Sequence, residues 1–267
     1  MEKTYKFLES YYNTFDEDGR LGTRVGQVEF LTAMRYIDKY LFDGARVLDV
    51  GAGTGRYSLK LAARGFSVDA LELIPHNIEI FKSKITAGLK GKVTVRQGDA
   101  CDLSEFKDNT YDLVLIFGPL YHLFDKDDKK RVLSEALRTA KAGGVVFAAY
   151  CISDASILDA GFKRKRFDIE EFIKKGLVDP DTFAAKSKPE LLFDIVRRED
   201  IDGLMAGLNV RRLHYAATDL YSRHMRTELE EMDDKDFLRY LDYHFSVCER
   251  ADMVGITHHS LDIFRKL

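Results

Sequence analysis

Cysteine is scarce in this chain. There are three, Cys101, Cys151 and Cys248, far apart and odd in number. That argues against a disulfide framework and against a Cys-based zinc site. No apolar run reaches membrane length: the longest, GGVVFAAYCI at 143–152, is about half of the ~20 residues a span needs. The N-terminal MEKTYKFLES lacks the apolar core of a secretory signal, so a reducing cytoplasm is the expected compartment. Charge of one sign is lacking too, with 41 Lys and Arg against 44 Asp and Glu and a net charge of −3. Nothing in that balance attracts nucleic acid or an anionic membrane in general. No internal repeat and no low-complexity stretch is present. His214, His224, His244, His258 and His259 show no ligand spacing and read as structural or surface residues, so no metal is expected.

What is there centres on VLDVGAGTGR at 47–56. Val47, Leu48 and Val50 read as a short buried strand. Gly51, Ala52, Gly53, Thr54 and Gly55 make a tight turn, and Tyr57, Leu59 and Leu61 begin a helix. Strand, glycine turn and helix N-terminus together make a site for a nucleotide-like ligand. The spacing is G-x-G-x-G, with Arg56 where a dinucleotide fingerprint would place its third glycine. Asp49, near the strand end, is placed to hold the turn or reach the ligand.

The chain of 267 residues suits one α/β domain. Residues 26–42 predict a helix, with Phe30, Met34, Ile37 and Leu41 on one face, while DEDGRLG at 16–22 reads as a turn. Strands are predicted at 67–73 and 92–100, a strand with the loop after it at 111–123, and a strand at 145–151, in alternation with helices. That alternation predicts a parallel sheet with helices on both faces. It breaks after Cys151. Residues 152–197 read as an insertion with helical pieces at 167–176 and 188–198. A helix at 198–208, a strand at 209–217, a helix after Asp233-Asp234 and a final strand at 259–267 follow.

In such a sheet the ligand crevice lies beyond the C-terminal strand ends. Glu72 sits where a carboxylate can accept from both hydroxyls of a ribose. Asp99 can accept from an adenine amino group, with Ala100 offering its N–H to the ring. Phe117, Gly118, Pro119 and Leu120 would wall the ligand.

The glycine turn with its acidic residue two positions earlier resembles motif I of the class I S-adenosylmethionine-dependent methyltransferases. The acidic residue after strand two, the Gly98-Asp99-Ala100 run and the loop GPLYHL at 118–123 fit the same family. The resemblance implies a three-layer α/β/α Rossmann-like sandwich. Its mostly parallel seven-stranded sheet has an antiparallel last strand between the fifth and sixth. It covers about 41–151 by motif and 198–267 by order of elements. The expected division is an N-terminal helical cap region at 1–40 and the methyltransferase domain at 41–267, with a cap insertion at about 152–197.

The implied cofactor is S-adenosyl-L-methionine. Its expected contacts are Asp49, Gly51, Ala52, Gly53, Gly55, Glu72, Leu73, Asp99, Ala100, Phe117 and Gly118, with Tyr11 from the N-terminal segment. GPLYHL lacks both the Asn/Asp-Pro-Pro-Tyr/Phe motif for DNA amino groups and the Pro-Cys nucleophile of cytosine C5 methylation. A small-molecule acceptor is therefore expected, not nucleic acid. Tyr121 and His122 are the catalytic candidates: Tyr121 to orient the acceptor, His122 either as a base or as a holder of its loop. The basic run at 163–166 reads as a solvated loop or as a contact for an anionic substrate. The alternatives are a nicotinamide-dependent oxidoreductase, which Arg56 argues against, and a non-catalytic binder of the same cofactor.

Overall fold

The computed structural model describes residues 2–267, with side chains from Tyr5 onward. Its N-terminal part holds α1 (Glu2–Tyr12), α2 (Glu17–Gly22) and α3 (Arg24–Asp38). The sequence suggested a turn where α2 forms. Asp16 is the reason: its carboxylate accepts from the Gly19 N–H at 2.8 Å, and Glu17 and Asp18 occupy the first turn. An acidic N-cap with acidic first-turn neighbours stabilises even a short helix. Thr23 caps α3 in the same way through Gly26 N–H at 3.1 Å, and α3 stops at Asp38, earlier than its periodicity suggested.

The sheet begins with β1 (Arg46–Val50), followed by α4 (Arg56–Ala63), β2 (Ser67–Glu72), α5 (Pro75–Ser83), β3 (Val93–Gln97), β4 (Tyr111–Ile116), α6 (Lys126–Thr139) and β5 (Ala140–Ile152). β1 pairs in parallel with β2 and β4, β2 with β3, and β4 with β5. Val47, Leu48, Val50, Val114, Leu115 and Ile116 are all fully buried. Strands covered on both faces read as continuous apolar runs, which is why they were visible in the sequence.

Past β5 come α7 (Ser153–Ser156), a π-helical stretch at Ile157–Lys163, α8 (Ile169–Lys174), β6 (Ile195–Val196), α9 (Arg198–Met205), β7 (Val210–Ala217), α10 (Arg226–Glu231), α11 (Asp234–Val247) and β8 (His259–Lys266). The strand order is β3-β2-β1-β4-β5-β8-β7, and β8 runs antiparallel between β5 and β7. The expected sheet is therefore present, with an eighth strand added: β6, two residues long, pairs with β5.

The helix expected at 188–198 does not form. Pro189–Leu191 is one 3₁₀ turn, and Leu192 then turns the chain at φ +66°. Two contacts fix the extended stretch that follows. The Asp194 N–H donates to Tyr121 O at 2.7 Å, and the Asp194 carboxylate pairs with the buried Lys129 of α6. Tertiary pairing overrides the helical pattern there.

Candidate functional site

A cavity of about 540 Å³ opens beyond the C-terminal ends of β1, β2, β3 and β4. The glycine turn forms its floor. Gly51 has φ +75°, and a Cβ there would stand 2.5 Å from Pro119 Cδ. Only glycine combines that left-handed backbone with that closeness. Gly55, at φ +87°, backs onto Phe81, where a Cβ would lie 2.5 Å from the ring. It shapes the turn and does not line the cavity. Arg56 does line it, its guanidinium 4.5 Å from the Phe30 ring centroid. Residues expected from four separate loops converge on this one space: Asp49, Gly51, Ala52, Gly53, Glu72, Leu73, Asp99, Ala100, Phe117 and Gly118.

The carboxylates differ in how they are held. Asp49 is buried and accepts from Ser58 Oγ at 2.6 Å. Burial pushes its carboxyl up to about 6, against the pull of that hydrogen bond. Glu72 is 5% exposed. Its Oε2 accepts from the Gly53 N–H at 2.7 Å, and its Oε1 from the Ile74 N–H at 2.9 Å and Asn77 Nδ2 at 3.2 Å. Burial raises its pKa, and the backbone donors partly offset this. Glu72 thus ties the glycine turn to the start of α5, with about one of a carboxylate's four lone-pair sites left for a ligand. Asp99 accepts from the Cys101 N–H at 2.8 Å through Oδ1.

α1 lies over this cavity, contributing Tyr5, Leu8 and Tyr12. Tyr11, expected among the cofactor contacts, is not there. It lines a second cavity, because adjacent helical residues point about 100° apart. Tyr12 is the residue facing the first. Its hydroxyl donates to His122 Nε2 at 2.8 Å, while Nδ1 of the same ring lies 2.8 Å from Leu192 O. Nδ1 therefore carries the proton, and His122 joins α1, the loop after β4 and the segment before β6. Burial pushes its pKa down to about 4, so the ring is neutral near pH 7 with both nitrogens engaged. Of the two roles left open by the sequence, this geometry favours the loop holder. Tyr121 is beside it, donating to Phe117 O at 3.3 Å.

The second cavity, also about 540 Å³, shares Tyr12, Glu17 and Tyr121 with the first. Its far walls come from the segment after β5, from α10 and from the start of β8. Here two of the histidines read as structural or surface residues, His258 and His259, line a chamber. Asp219 is fully buried and accepts from His259 Nδ1 at 2.9 Å and from Arg223 Nε at 3.1 Å. Burial opposes the charge on His259, but Glu29 and Asp219 outweigh it and raise its pKa to about 10. Burial likewise opposes the charge on Glu29, yet Arg20 and His259 hold it at about 2. Glu29, Asp219 and His259 bring ligand-type atoms within 4.8 Å of one another. Arg20 and Arg223 already sit on the two carboxylates, so the cluster carries its own countercharge. No local signal marked these residues, because Asp219 and His259 meet across forty residues of chain.

Residues 47–144 match a family described as a methyltransferase domain. Over 94 residues the chain is 37% identical to a magnesium-protoporphyrin O-methyltransferase of Rhodobacter capsulatus, covering 34% of this chain and 39% of that one. Over 103 residues it is 36% identical to a demethylmenaquinone methyltransferase of Thermobifida fusca (strain YX), covering 39% of this chain and 42% of that one. The chain thus spans about two-fifths of the length of these curated relatives. Among solved structures, a SAM-dependent methyltransferase from Methanosarcina mazei superposes with a TM-score of 0.59 at 18% identity, over 87% of this chain and 97% of that one. The [4+2]-cyclase SpnF superposes at 0.57 and 17% identity, over 89% and 81%. At such identities the likeness shows the fold alone.

Proposed function

We propose that this chain, whose residues 47–144 match a methyltransferase domain, is a class I S-adenosylmethionine-dependent methyltransferase that transfers a methyl group from S-adenosylmethionine to a small-molecule acceptor. The observation that carries this reading is the pair of adjacent chambers, one at four strand-end loops and one that shares Tyr12, Glu17 and Tyr121 with it. The residues of the first chamber fit the cofactor. The Gly51 turn leaves no side chain in the way, Glu72 keeps a lone pair for a ribose hydroxyl, and the Asp99 carboxylate lines the chamber as an acceptor for an adenine amino group. Leu73 and Phe117 supply apolar walls.

The bound cofactor supplies a methyl on a positive sulfur that leaves neutral, so the displacement needs no strong acid. The chain's part is to place the acceptor in line and keep water out. Tyr12 and Tyr121 line both chambers, and that alignment would be set against them. His122 is a positioning residue, holding Tyr12 against the loop after β4. α1 and the segment at about 152–197 serve as the cap over the acceptor chamber, a role supported by their lining of the second cavity. A net charge of −3 supports a small acceptor over nucleic acid. Three free, buried cysteines support a reducing compartment, the cytoplasm, and no helix among the described residues is long and apolar enough to cross a membrane.

The test is direct, and SpnF's place on this fold makes it necessary. The full chain is incubated with S-adenosylmethionine labelled at the methyl group and with fractionated small-molecule extracts. Label moving into one fraction with matching S-adenosylhomocysteine supports the reading. Tight binding without transfer to any fraction would make the chain a binder of the cofactor.

A further inference from the structure

We propose that the acceptor carries an anionic group, a carboxylate or a phosphate monoester, received by Arg164, Arg166 and Arg226 on the solvent side of the second chamber. This rests on the methyl-transfer reading above. The chain as a whole is slightly acidic, yet five arginines line this chamber. Their pairing is unequal. Arg20 is held by Glu17 and Glu29, Arg223 by Asp219, and Arg164 by Asp159. Arg166 and Arg226 have no carboxylate partner among the described residues.

The unpaired charges are close enough to be felt. Burial lowers the pKa of Arg164, and Arg166, Arg226 and Arg223 lower it further. A cluster of guanidinium groups that repel one another around a cavity is satisfied by an anion from outside, and arginine's fork matches carboxylate and phosphate oxygens.

A second observation points to a ligand independently. His258 lines the same chamber and is 4% exposed, and neither ring nitrogen has a hydrogen-bond partner. The Asp159 carboxylate lies 3.6 Å from its Nε2, beyond hydrogen-bond reach. A buried imidazole left without partners is costly unless something binds there. The rest of the acceptor is apolar or aromatic, because Phe167 and Phe172, stacked with ring centroids 4.2 Å apart, form part of the wall.

The experiment uses the full chain with and without saturating S-adenosylhomocysteine. It compares 2-naphthoate, 2-naphthyl phosphate and the neutral 2-naphthamide by calorimetric titration. At least one anion should bind about tenfold or more tightly than the amide. In the double variant Arg166→Gln, Arg226→Gln that preference should fall to near parity. Both side chains are exposed, so the melting temperature should stay unchanged. A preference for the phosphate or for the carboxylate names the head group. Equal binding of the amide, no binding of either anion, or a preference kept by the double variant would overturn the proposal. Failure to bind S-adenosylhomocysteine would instead strike the methyl-transfer reading, because the anion preference is scored separately.

Discussion

The first chamber takes its polar contacts from strand ends and from backbone N–H groups that the sheet register has already fixed. The second takes them from long side chains paired with carboxylates, Arg20, Arg164 and Arg223 with partners nearby in the chain and His259 with Asp219 forty residues away. One is rigid because the glycine turn and Glu72 lock each other. The other is held by charge. A scaffold of this kind can keep one ligand constant while the partner chamber changes its chemistry through a few surface-facing side chains.

The largest effect should come from breaking the first chamber at its turn. Gly51→Ala puts a Cβ into a left-handed position and against Pro119. Strain and overpacking together should cost about 2–5 kcal/mol, seen as a lower denaturant midpoint with cofactor binding lost. A variant as stable as the parent would show that the turn can relax.

Glu72→Ala comes next. It removes a charged acceptor, so S-adenosylhomocysteine affinity should fall by about a hundredfold. The melting temperature should also fall, since three protein donors lose their partner. Affinity unchanged in a destabilised variant would reduce Glu72 to a tie between turn and helix.

His122→Asn acts on the wall the chambers share. Loss of the bonds to Tyr12 and Leu192 should cost about 1–3 kcal/mol. Once an acceptor is known, the pH–rate profile should keep its shape. A rate loss of roughly 10²–10⁴ with a flattened acid limb would restore His122 as a base.

The smallest effect separates the chambers by pH. His259 has a folded pKa raised to about 10, against an unfolded value of about 6.5. Its contribution is complete below about 6.5 and is lost as pH rises towards 10. Asp49, raised to about 6, is nearly all ionised in both states above pH 7 and contributes little slope there. Hydrogen exchange, corrected for intrinsic rates, should therefore show peptides around 219–226 and 255–262 losing protection between pH 7 and 9.5. Peptides around 46–56 should not change. Equal loss in both regions would remove His259 as the source.

The same contrast governs what could be read from the sequence. β1, β2 and β4, the glycine turn, Glu72 and Asp99 were legible because each signal is local: an apolar run, a φ that only glycine adopts easily, a carboxylate at a strand end. Tyr12 was missed in favour of Tyr11 because composition does not give helix rotation. LLFDIV at 191–196 looked helical, and only its docking on β5 and Tyr121 made it extended. His258 and His259 carried no signal, since Asp219 and Asp159 reach them only through the completed fold.

The placement of β8 has a consequence for synthesis. Among the described residues β7 pairs with β8 and with no other strand, and β8 is translated after it. On the ribosome, β1 to β5 can assemble as a parallel unit while β7 still waits for its neighbour. Nascent chains arrested before His259 should leave the β7 region open to protease while β1 to β5 resist it; early resistance of β7 would mean that it docks elsewhere first. Because His259 begins β8, the second chamber cannot be completed until that strand has been made.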